Sequence, residues 1–134
     1  MANIKEIEGI GPAYGEKLEA AGIKTQEALL TSGASKAGRA EIAEKTGISE
    51  TMILEWVNRA DLARIKGVGS EYADLLEAAG VDSVPELAQR NAANLTAKMA
   101  EINGAKNLVR SLPSESAVEG WIEHAKTLDK VVTH

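Results

Sequence analysis

An all-α protein of about eight short helices, arranged as two copies of one four-helix unit, is what this sequence predicts. Three observations carry that reading. A sixteen-residue stretch occurs twice, as I-E-G-I-G-P-A-Y-G-E-K-L-E-A-A-G from Ile7 to Gly22 and as I-K-G-V-G-S-E-Y-A-D-L-L-E-A-A-G from Ile65 to Gly80. The two copies share Ile, both Gly of the G-x-G, Tyr, Leu, Glu, Ala, Ala and the last Gly, nine identities in sixteen positions. An internal repeat of this kind governs how the rest of the chain is read. Secondly, Met52, Ile53, Trp56, Val57, Ala60 and Ala63 fall on one helical stripe, and Ala117, Val118, Trp121, Ile122, Ala125 and Leu128 match them one by one. Thirdly, period-2 alternation is missing and β-branched residues are scattered, so no strand is predicted.

In chain order, Met1 to Glu6 is a lead-in, and Gly9 and Gly11 make the following stretch a tight turn. Pro12 suits the first turn of a helix, where its missing N–H costs nothing. That helix carries Tyr14, Leu18 and Ala21 on one side and stops at Gly22. Thr25 is placed to cap a short second helix with Ala28, Leu29 and Leu30. Ser35 opens a third that ends near Gly47, and Ser49 opens a longer fourth running towards Arg64. The second unit repeats the plan. Ser70 stands where Pro12 stood, Gly80 ends the helix, and Ser83-Val84-Pro85-Glu86 reads as a capping box. Asn94 is the expected cap of the next helix, through Leu95, Met99 and Ile102 to about Gly104. Ala105 to Pro113 has no equivalent in the first unit, and the last helix starts at Ser114 or Ser116. Val131 to His134 is expected to fray. The predicted units are 1–63 and 64–134, packed about a pseudo-two-fold axis as one globule.

Composition narrows the classes of function. The 134 residues suit one compact domain or two small units. With 3% aromatics and no Phe, the core must be Ala, Leu, Ile and Val. The absence of Cys removes disulfides, thiolate metal sites and thiol nucleophiles. The formal charge of −5 is shared by both halves, so no basic lobe exists of the sort sequence-blind nucleic-acid binders carry. No signal peptide and no membrane-spanning run is predicted, and a soluble cytoplasmic protein is expected.

One motif carries chemical meaning. Gly9-Ile10-Gly11 with Gly15, and Gly67-Val68-Gly69 with Ala73, each form a glycine turn feeding a helix, with a small residue one turn on. Such a turn directs free N–H groups outward at the positive end of a helix dipole, where a phosphate oxygen can sit without any base contact. A dinucleotide fingerprint is excluded, because Tyr14 and Tyr72 hold the place of its third Gly and no strand precedes either turn. Trp56 and Trp121 read as core, as do Tyr14 and Tyr72, each packing on the neighbouring short helix. His124 reads as a surface residue and His134 as part of a frayed end. Glu16, Glu19, Asp74 and Glu77 read as solvated helix carboxylates. Neither a Ser-His-Asp set nor any cofactor or metal site is predicted, and the protein is not expected to be an enzyme.

Over roughly Lys5 to Leu30 and Ala63 to Ala88 the sequence resembles the helix-hairpin-helix module of DNA ligases, repair glycosylases and polymerases. The stretch I-L-E-W-V-N-R-A-D-L-A-R-I-K-G-V-G, followed by L-L-E-A-A-G, makes the whole chain similar to the uncharacterised domain-of-unknown-function family 4332. The resemblance implies paired hairpins gripping phosphates on two strands, through the backbone of Gly9, Ile10, Gly11 and Ala13 and of Gly67, Val68, Gly69 and Glu71, with Lys17 and Lys66 nearby. Gripping hairpins place Lys or Arg just after the second Gly. Here Pro12 and Ala13, then Ser70 and Glu71, occupy those places. The expectation is therefore a non-catalytic protein-interaction or scaffolding module with a protein partner. The alternative is weak, non-sequence-specific DNA binding through the hairpin amides.

Overall fold

The structure is a computed structural model that describes residues 3, 4, 7 and 10–133, with Ser70 placed by its backbone. Among them are eight helices and no strand: α1 (Gly11–Ala20), α2 (Gln26–Ser32), α3 (Lys36–Thr46), α4 (Glu50–Leu62), α5 (Ser70–Ala78), α6 (Val84–Ala88), α7 (Ala92–Lys106) and α8 (Glu115–Thr127). A single antiparallel bridge joins Asn3 to Thr25. The chain divides into two compact units. Unit 1 is Met1–Asp61 together with Val131–His134, and unit 2 is Leu62–Lys130.

Short polar side chains start most of the helices. Thr25, Ser35, Ser83, Asn91 and Ser114 each accept a hydrogen bond from the backbone N–H three residues on, at the starts of α2, α3, α6, α7 and α8. Ser49 does the same for Met52 at the start of α4, at 3.3 Å. Each such cap contributes about 1 kcal/mol. The third helix of unit 2 begins earlier than expected: Asn91, rather than Asn94, is its cap, and Asn94 supplies the N–H that Asn91 accepts at 3.1 Å. The same helix also outruns Gly104. It ends at Lys106 because Asn107 adopts the left-handed conformation there, with φ 53°, one of the few non-glycine residues that tolerates it.

Glycine ends α1 and α5 by one device. Gly22 (φ 90°) and Gly80 (φ 94°) turn the chain left-handed. The N–H of Ile23 then returns to the Leu18 carbonyl and that of Val81 to the Leu76 carbonyl, both at 2.9 Å. This double closure satisfies carbonyls the helix end would leave open, and it sets Ile23 on Leu18 and Val81 on Leu76. All four are buried.

In unit 1, α3 packs on α1 and α2, and Leu18, Leu29, Ile53, Trp56 and Val57 lie at the centre of the core. In unit 2, α8 packs on α6 and α7, and α7 on α5, around Leu75, Leu76, Leu87, Leu95, Met99 and Val118. The stripes of α4 and α8 bury alike: Ile53, Trp56, Val57 and Ala60 are buried, as are Val118, Trp121, Ile122 and Ala125. The two tyrosines pack on these cores and lean on the tryptophans. Ring centroids lie 5.3 Å apart for Tyr14–Trp56 and 5.2 Å for Tyr72–Trp121, tilted by 56° and 49°. Tilted aromatic pairs gain about 0.5–1.5 kcal/mol beyond the area they bury.

The expected frayed end is in fact part of unit 1. Val132 is 2% exposed within that core. Thr133 donates its N–H to the Ala34 carbonyl at 2.8 Å. Arg39, itself buried, donates to the carbonyls of Gly33 (2.8 Å), Ala34 (3.1 Å) and Thr133 (2.6 Å). A guanidinium with five donors suits this gathering of carbonyls. His134 lies outside the described residues.

Candidate nucleic-acid interface: the two glycine turns

The hydrophobic residue between the glycines packs inward in both turns. Ile10 is 2% exposed and Val68 5%. The small residues one turn on, Gly15 and Ala73, are buried as well, which lets turn and helix approach closely. Gly9 lies outside the described residues. Gly11 opens α1 with φ 61°. In the second turn the left-handed residue is Gly67, with φ 91°, and Gly69 is extended (φ −97°, ψ −170°) as the cap residue of α5.

The amides that the motif offers are only partly available. Ile10 donates to the Ile7 carbonyl and Val68 to the Ile65 carbonyl, both at 3.1 Å. Lys66 donates its backbone N–H to Nδ1 of His124, also at 3.1 Å. Beyond these, α1 and α5 start with no side-chain cap, in contrast to the six helices described above. In α5 the first intrahelical bond is Ala73 N–H to the Gly69 carbonyl at 2.9 Å, so the N–H groups of the helix's first turn have no acceptor within the helix. In α1 the exposed Pro12 lacks one of those donors.

Charge around these helix ends is sparse. Ala13 is exposed and uncharged, and Glu71 is exposed in the first turn of α5. There Glu71 complements the helix dipole itself, the role an external anion would otherwise fill. Lys17 is exposed, with its Nζ 5.9 Å from the centre of the Tyr14 ring, in cation–π range. Lys66 is exposed at the second turn.

The structure joins the second turn to residues that sequence reasoning set aside. Lys66 and Gly67 lie with Ala117, Gly120, Trp121 and His124 around an open, mainly apolar groove of about 510 Å3. Gly67 is required there twice over, by its φ and because a Cβ would stand 3.1 Å from the Trp121 indole nitrogen. His124, expected as a plain surface residue, is half-buried and clips the turn to α8. The available signal was small residues at Ala117 and Gly120, one helical turn apart. The matched places in unit 1 hold Met52 and Glu55.

Among the described residues no group of three or more His, Asp or Glu could hold a metal ion. No helix among them is long and apolar enough to cross a membrane. Residues 8–128, nearly the whole chain, match the family described as Domain of unknown function (DUF4332), and the chain belongs to that family. No curated protein matches the chain, and no solved structure does.

Proposed function

We propose that this member of family 4332 is a non-catalytic, duplicated helix-hairpin-helix protein that works by binding another protein. The observation that carries this reading is the chemistry at the two turns. Where a phosphate grip needs cations, the exposed residues are Pro12, Ala13 and Glu71, and the Lys66 amide is already bonded to His124. Duplication is supported by the nine shared residues, the matching glycine closures after α1 and α5, and the paired burial along α4 and α8. A second reading, weak non-sequence-specific DNA binding, draws on the two uncapped helix starts.

Titration of labelled duplex, junction and single-stranded DNA by fluorescence anisotropy, at low and at physiological salt, separates the two. We expect binding at low ionic strength only, where phosphate attraction is least screened. Affinity tighter than about micromolar at physiological salt would reverse the order of the two readings. The double variant Ala13→Lys, Glu71→Lys then restores the missing charge. If the amides are competent, affinity for duplex rises and its salt dependence steepens by about one unit of slope per phosphate neutralised. A control with the same charge change on exposed α3, Ala40→Lys with Glu44→Lys, should gain less. An equal gain leaves the turns with no phosphate site.

A further inference from the structure

Each unit serves as a template for the other where the glycine closure meets the short second helix. Thr25 and Ser83 are matched caps, and Leu29 and Leu87 are matched and buried, so the register of the repeat holds through α2 and α6. Just past α6 stands Arg90. Its guanidinium donates to the Gly80 carbonyl at 3.0 Å and to the Glu86 carboxylate at 3.0 and 3.2 Å. In unit 1 the matched places hold Ser32 and, for Glu86, Ala28. The acceptor is nonetheless kept. The N–H of Ile23 bonds Leu18 as that of Val81 bonds Leu76, and a planar peptide then turns the Gly22 carbonyl as it turns that of Gly80. What adjoins the two glycines differs. A Cβ on Gly80 would stand 3.2 Å from Arg90 Nη2, whereas one on Gly22 meets nothing within 4 Å. Between Gly22 and Ser32 lies a cavity of about 230 Å3, lined also by Gly38, Glu41 and Lys45.

We infer that this cavity in unit 1 binds a guanidinium, the side chain of an arginine on a partner protein, which takes the place that Arg90 takes in unit 2. The inference rests on the protein-binding reading and names the group that is recognised. The Gly22 carbonyl lies at the negative end of α1, where a cation is favoured. Glu41 supplies from α3 the carboxylate that Glu86 supplies from α6. Glu41 meets Lys45 at 2.9 Å, but both side chains are more than half exposed. Such a surface pair holds its partner weakly, and a carboxylate accepts several donors at once. Gly38 forms the wall towards α2: a Cβ there would collide with the Ser32 carbonyl, so the two helices close on one another. A planar fork of five donors can serve a carbonyl and a carboxylate together, which the compact ammonium of lysine does less well. The net charge of −5 favours a cationic partner.

The test is a titration of the isotope-labelled full chain with N-acetyl-arginine methylamide at low salt, followed by amide chemical shifts. We expect saturable shifts at Gly22, Ile23, Gly38 and Glu41, with a Kd of about 1–10 mM, the scale of one side chain held by a few charge-assisted bonds. The blocked lysine and the blocked neutral citrulline should bind about tenfold more weakly or worse. Ser32→Arg, at an exposed position, installs the residue of unit 2. It should abolish the shifts and raise the melting temperature. Glu41→Gln, also exposed, should weaken binding about tenfold. Silence up to about 20 mM overturns the proposal. Equal binding of lysine or citrulline does so too, as do shifts that survive Ser32→Arg. Free arginine binding about tenfold more tightly than the blocked form would make the ligand a small molecule and overturn the partner side chain. The DNA titration reads the broader proposal separately: a chain that ignores both arginine and DNA loses this site alone, whereas tight DNA binding removes the protein-binding reading itself.

Discussion

At the ends of α1 and α5 the two units are built alike, and at the turns before those helices they are not. Gly22 and Gly80 adopt nearly the same φ and close the same pair of hydrogen bonds. Before α1 the residue preceding the helix, Ile10, is already helical, and Gly11 takes the left-handed φ. Before α5 the left-handed residue is Gly67, and Gly69 is extended. The Lys66 amide reaches His124, and the aligned place in unit 1 is Arg59, whose side chain has no acceptor to offer. Residues shared by the copies therefore secure the helix ends and the core. The turn, where chemistry would reside, follows from residues the copies do not share.

The two units also anchor their loops differently. Unit 1 buries Arg39 under three carbonyls. Unit 2 uses Arg90, half-buried, which bonds the Gly80 carbonyl at 3.0 Å and the Glu86 carboxylate at 3.0 Å. Ser32 stands at the matched place in unit 1.

The strongest test of the likeness is the tryptophans. Trp56→Ala and Trp121→Ala should each cost about 3–5 kcal/mol, as buried aromatic truncations do. Each unit holds one of the chain's two Trp, so the remaining indole reports on the other unit in a denaturant melt. A loss under about 1 kcal/mol would place that indole at a surface. The arginines should differ. Arg39→Ala is expected to cost about 2–3 kcal/mol, because buried carbonyls lose a charged donor. Arg90→Ala, at a more exposed pair, should cost less than about 1 kcal/mol. Equal losses in thermal melts would mean that the anchors are equivalent after all. The glycines fall between the two arginines. Gly22→Ala and Gly80→Ala should each cost about 1–2 kcal/mol through φ alone. Gly80→Ala should be the larger, since its Cβ would approach Arg90 Nη2 to 3.2 Å, whereas one at Gly22 meets nothing within 4 Å.

The helices were legible because short-range chemistry starts and stops them. Thr25, Ser35, Ser49, Ser83 and Ser114 each cap through a hydrogen bond three residues away, a distance the sequence displays directly. The misplaced cap at Asn94 arose from two asparagines three apart. Either can accept from the backbone, and the Ala92-Ala93 pair between them extends the helix back to Asn91. The docking of Val132 and Thr133 on unit 1 was not legible. Their partners Ala34 and Arg39 lie 99 and 94 residues away from Thr133, and no local pattern encodes such a contact. The groove went unseen for the same reason, since small residues on a helix show no cleft until the facing turn is in place.

The return of residues 131–133 to unit 1 bears on how the chain is made. Unit 1 is split in sequence, with all of Leu62–Lys130 threaded between its two pieces. During synthesis its first piece leaves the ribosome without Val132 or the carbonyl of Thr133, and at ordinary elongation speeds it waits roughly 3–14 s for about 70 more residues. By then every residue of unit 2 has been made. Unit 1 is thus begun before unit 2 and completed after it, and for those seconds the Arg39 Nη2 lacks Thr133 and the core lacks Val132.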